Sequence, residues 1–120
     1  MSQRSEKRKT PRIQPFVVPC KVLDAERKLA GYLTDLSTRG ARVTCEQEPP
    51  AVGHVIALDV RFPRRGRARL GCRVQWSRPL LHPAKGFDFG VTFEGLGARE
   101  QEVLDAVVRD FHEQAEQLAR

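Results

Sequence analysis

The chain has 120 residues, 40% hydrophobic and 30% charged, which suits one globular domain with a single modest core and excludes a disordered chain. No apolar run approaches the ~20 residues of a membrane-spanning helix, and the charged start lacks the apolar segment of a signal peptide, so one module without membrane insertion and a cytoplasmic location are expected. The formal charge of +6 is uneven: residues 1–15 hold five bases and one acid, 61–78 seven arginines and no acid, and 94–120 three bases against seven acids. Anions are therefore drawn to one side, although charge alone does not separate a nucleotide from RNA, DNA or acidic lipid.

Residues 1–15 are polar, basic and interrupted by Pro11 and Pro15, a composition unable to bury enough apolar surface to order itself. A flexible basic arm is expected there, with the folded domain spanning 16–120. Pro11 pushes Thr10 out of helical geometry, so Arg8 and Arg12 belong to an extended or turned segment. From residue 16 the apolar period becomes two: Phe16, Val18, Cys20 and Val22 alternate against Val17, Pro19 and Lys21, a strand that Pro19 marks as an edge or bulge. A polar turn over 24–27 leads into a strand over 28–36.

That second strand delivers Asp35-Leu36-Ser37-Thr38-Arg39-Gly40. As an ordinary hairpin turn, Asp35 and Ser37 bond their own backbone and Gly40 supplies a left-handed residue. As a pocket rim, Asp35 offers two acceptor oxygens to the N1–H and N2–H of a guanine, Ser37 offers a hydroxyl to a nearby phosphate, and Gly40 lets backbone approach closely. Residues 41–45 alternate again, and 46–53, with Pro49-Pro50, is a loop.

In the segment 55–62, Ile56, Leu58, Val60 and Phe62 share one face. Pro63-Arg64-Arg65-Gly66 turns the chain into a strand over 67–77, with Ala68, Leu70, Cys72, Val74 and Trp76 pointing one way and Arg67, Arg69, Arg73 and Gln75 the other. The outward arginines read as a solvated row that blunts edge pairing. A loop over 80–85 precedes a last strand whose Phe87, Phe89, Val91 and Phe93 form an apolar face suited to the core. From Ala98 the period shifts to 3.6, with Val103, Leu104, Val107, Val108, Phe111, Ala115 and Leu118 on the stripe of a long amphipathic helix. Six short, regularly spaced strands predict a small antiparallel barrel or sandwich.

Cys20, Cys45 and Cys72 are widely spaced and in phase with apolar neighbours, so buried free thiols are expected, with no disulfide, metal or cofactor. His54, His82 and His112 have no nucleophile or carboxylate beside them in sequence, and Ser37 has no base, so the chain is not expected to be an enzyme.

The Arg8-x-x-x-Arg12 arm and the Asp35-x-Ser37-x-x-Gly40 turn, in this order and spacing, resemble the PilZ domain, and the resemblance extends through the later strands and the final helix. It implies a mainly β fold, a six-stranded antiparallel β-barrel with a long C-terminal α-helix, and a receptor for cyclic di-GMP. Arg8 and Arg12 would then grip phosphates or the O6/N7 guanine edge, Asp35 the N1/N2 edge and Ser37 a phosphate or sugar oxygen, while Gly40 permits close approach. Lys7 would help hold a self-stacked ligand pair. Trp76, at the end of its strand, either stacks on a purine or belongs to the core. With no effector domain in view, an unidentified protein partner is implied. Two other readings stand beside this one. A general nucleic-acid binder would normally interleave aromatics among its arginines, and none stands there. A protein-interaction adaptor that does not use the nucleotide would have no need of a complete arm and turn.

Overall fold

A computed structural model describes residues 17–118. Six strands and one helix follow in chain order: β1 Val18–Leu23, β2 Lys28–Leu36, β3 Gly40–Cys45, β4 Val55–Phe62, β5 Gly66–Pro79, β6 Phe87–Phe93 and α1 Ala98–Leu118. The strands close into an antiparallel barrel in the order β1-β2-β3-β6-β5-β4, with β4 pairing back onto β1. Closure removes free sheet edges, so every strand can turn one face inward and the other to solvent.

The alternation read from the sequence describes most of this barrel. In β4, Ile56, Leu58, Val60 and Phe62 are buried and meet Val22, Leu33, Leu70, Cys72 and Phe89 in one core cluster. Phe89 and Val91 are buried, with Phe87 and Phe93 packed partly against them, as expected of the last strand. Phe16, placed in the first strand by its period, lies outside the described residues. Pro19 sits one residue outside the β1–β4 ladder, which runs from Cys20 to Leu23, so the closed barrel accommodates it at a strand end.

All three cysteines are free and buried. Burial pushes the Cys20 and Cys72 thiols up to about 12, since a thiolate cannot be solvated there; a neighbouring Cys45 adds to the first and Glu94 to the second. Below the ordinary thiol value of 9.0 both states are neutral and the shift has no effect on stability. Between 9.0 and about 12 the unfolded chain ionises first, so stability falls as pH rises through that window.

The helix places Leu104, Val107 and Val108 in the core cluster, with Val103 packed against it. Ala115 and Leu118, expected on the same stripe, have side chains outside the described set. The Arg65 guanidinium, in the β4–β5 turn, meets Asp110 at 2.7 Å, and Arg99 donates to the Arg67 carbonyl at 3.4 Å, which ties α1 to the start of β5. The outward arginines are partly paired within the barrel, Arg67 with Asp59 at 3.3 Å and Arg73 with Glu94 at 2.9 Å. No helix is long and apolar enough to cross a membrane among the described residues.

Two bulges break the ladders. β2 carries an extra residue between Leu33 and Asp35, opposite β3, and β5 carries one between Val74 and Trp76, opposite β6. A bulge shifts the side-chain phase by one, so residues beyond it no longer follow the alternation before it. Strict alternation put Trp76 on the same face as Val74. In the structure the bulge at Gln75 turns it outward, leaving it 39% exposed.

Candidate functional site

Both bulges lie beside the same surface groove, which has a volume of about 440 Å³ and is lined among others by Asp35, Ser37, Arg39, Arg42, Trp76 and Thr92. It runs over the outer surface of β3, β6 and β5, next to the β2–β3 turn. Three strands contribute because Arg42, Gly90 and Trp76 occupy one cross-strand row, Arg42 opposite Gly90 and Gly90 opposite Trp76.

The turn is built by Ser37. Its hydroxyl accepts from the backbone N–H groups of Arg39 and Gly40, both at 3.1 Å, and donates to the Gly40 carbonyl at 3.3 Å, while the Ser37 N–H donates to that carbonyl at 2.9 Å. The Phe93 N–H donates to the Arg39 carbonyl at 2.8 Å and fastens the turn to β6. Ser37 therefore follows the turn chemistry of its residue type. Gly40 is required for a different reason than a left-handed conformation: a Cβ there would collide with the Val91 carbonyl oxygen of β6. The close approach is to the protein's own backbone.

Asp35 stands just past the β2 bulge, exposed at the groove wall, and its carboxylate has no hydrogen-bond or ion-pair partner among the described residues. An unengaged carboxylate of this kind is available to a paired donor such as a guanine edge. Opposite it, the Arg42 Nε donates to the Thr34 hydroxyl at 3.2 Å, and that hydroxyl donates to the Arg42 carbonyl at 3.4 Å. Arg42 and Arg39 give the groove positive charge beyond that of the motif residues; both lie within two residues of Gly40, and that proximity to the turn is the signal the sequence offers. Trp76 reaches the groove because Gly90 has no side chain, since a Cβ at Gly90 would collide with the indole.

Asp35, Ser37, Gly40 and Trp76 are thus brought together, whereas Lys7, Arg8 and Arg12 lie outside the described residues. His54, His82 and His112 are exposed and do not line this groove. Among the described residues no group of three or more His, Cys, Asp or Glu side chains is placed to hold a metal ion.

Residues 4–110 match the family model of the PilZ domain. The chain belongs to that family. Its barrel is similar to solved structures at low identity, which establishes likeness of fold: the "PilZ domain with c-di-GMP of YcgR from Escherichia coli" (TM-score 0.65, 17% identity, 91% of this chain and 98% of that one); the Bacillus subtilis inhibitor of motility, MotI/DgrA (TM-score 0.68, 13% identity, 84% of this chain and 49% of that one); and K. pneumonia MrkH in its apo state (TM-score 0.69, 12% identity, 95% of this chain and 52% of that one). This PilZ chain covers only about half the length of the latter two. No curated protein matches it by sequence.

Proposed function

We propose that this PilZ domain is a cytoplasmic regulatory receptor for cyclic di-GMP, a binding module and not an enzyme, and that it passes its state to a protein partner. The observation that carries this reading is the unpartnered Asp35 carboxylate beside a cationic groove at the motif turn. In this reading Asp35 takes the guanine N1–H and N2–H, Arg8 and Arg12 reach phosphates or O6/N7, and Lys7 adds charge for a stacked ligand pair. Trp76 stacks on a purine. Gly40 keeps the turn close against β6, and Ser37 shapes the turn, its 3.3 Å bond to the Gly40 carbonyl being the one a ligand oxygen would most easily replace.

Asp35→Ala tests base identity. Because the Asp35 carboxylate has no partner among the described residues, its removal should leave stability near wild type while cyclic di-GMP affinity falls by about 1–3 kcal/mol and preference over cyclic di-AMP shrinks. Unchanged preference in a calorimetric comparison would assign Asp35 to the turn alone.

The proposed switch is the arm. Residues 1–15 carry +4 of the +6 charge with little apolar surface, so a ligand with two phosphates relieves their repulsion and orders the segment near Arg8 and Arg12. Amide exchange should show ligand-dependent protection confined to the arm and residues 35–40, with the barrel unchanged. An arm equally protected with and without ligand would remove the switch even if binding were confirmed.

A further inference from the structure

Asp88 is the one buried charged side chain among the described residues, at 8% exposure. Burying a carboxylate is costly unless its oxygens are engaged. One of them accepts from the Thr44 hydroxyl at 2.6 Å, and the other faces the Arg78 guanidinium at 3.9 Å. Thr44, Asp88 and Arg78 form one cross-strand row over β3, β6 and β5, lying next to the row of Arg42, Gly90 and Trp76. Arg78 in turn sits over the Trp76 ring, its Cζ 5.2 Å from the centroid. Trp76 is among the residues that line the groove and Arg78 is not.

From this geometry we propose that Thr44, Asp88 and Arg78 brace Trp76, and that Asp88 and Arg78 are positioning residues for base stacking in the groove. The stacking half rests on the cyclic di-GMP reading; the bracing half does not. Thr44 alone would be satisfied by any neutral acceptor, whereas the Asp88 charge also attracts the Arg78 guanidinium and so adds to its own attraction for the indole face. A fixed ring loses less freedom when a base stacks on it, and a cation over one face draws π density from the other, which favours an electron-rich purine there.

Trp76 is the chain's single tryptophan, so its fluorescence reports on this site alone. Asp88→Asn keeps the acceptor for Thr44 and removes the charge, which should preserve the fold. Without ligand, Asp88→Asn and Arg78→Ala should raise acrylamide quenching and lower Trp76 anisotropy at a near wild-type melting temperature. With cyclic di-GMP, each should weaken binding by roughly five- to tenfold, and Arg78→Ala should cause no further loss once Trp76 is alanine. Unchanged quenching and anisotropy in Asp88→Asn would overturn the brace. An equal loss from Arg78→Ala with and without Trp76 would overturn its positioning role and assign it to direct charge. If the wild type does not bind cyclic di-GMP, the functional reading fails, and the ligand-free fluorescence still decides the brace.

Discussion

Arg12→Ala should nearly abolish cyclic di-GMP binding, a loss of at least about 3 kcal/mol, because a forked guanidinium on a phosphate or guanine edge makes two or more charge-assisted hydrogen bonds of about 1.5–3 kcal/mol each. Arg69→Ala removes the same formal charge from the outer face of β5, where it adds to the general field but does not line the groove. Its effect should be small and vanish as salt rises, since exposed charges beyond a Debye length are screened. The comparison separates a defined site from diffuse polyanion attraction. Similar losses at the two positions, both salt-dependent, would favour the general nucleic-acid reading.

Gly40→Ala should destabilise the folded barrel by about 3 kcal/mol, at the upper end for overpacking, because the new methyl group meets backbone and not a side chain that can swing away. Gly40 opens β3 and pairs with Thr92, next to the Val91 carbonyl it would strike, so relief requires β3 and β6 to part where the turn begins. Urea unfolding reads the loss directly as a lower midpoint. Binding should weaken as well, because the turn that presents Asp35 moves with Gly40. A wild-type midpoint would mean that the two strands are not held as closely as described.

These two glycine and arginine positions show how differently the sequence exposes its contents. The barrel strands were legible because most of the core is written as alternation, as in Ile56, Leu58, Val60 and Phe62, where one face of the strand turns inward. The helix was legible for the same reason at a period of 3.6. Trp76 was not, because its facing depends on one extra residue in β5 relative to β6, a relation between strands that no single run of residues contains. Asp88 alternates with Phe87 and Phe89 as an outward polar residue would, yet it is buried, because Thr44 and Arg78 close over it from the neighbouring strands. Ser37 and Gly40 were recognised by spacing, but the reasons those residue types are needed, a turn held by three bonds of the Ser37 hydroxyl and a contact with Val91, emerged only from the fold. Arg42 lay two residues beyond the motif and went unassigned for lack of a partner visible in sequence.

The central claim is that the groove is a selective site for a cyclic guanine dinucleotide. Calorimetric titration of the full chain with cyclic di-GMP, GTP and a short single-stranded oligonucleotide, each at two salt concentrations, tests it most directly. The account predicts saturable binding of cyclic di-GMP that persists at the higher salt, with GTP and the oligonucleotide weaker and more strongly suppressed. Binding of the oligonucleotide equal to or tighter than that of cyclic di-GMP, falling in parallel with salt, would contradict it.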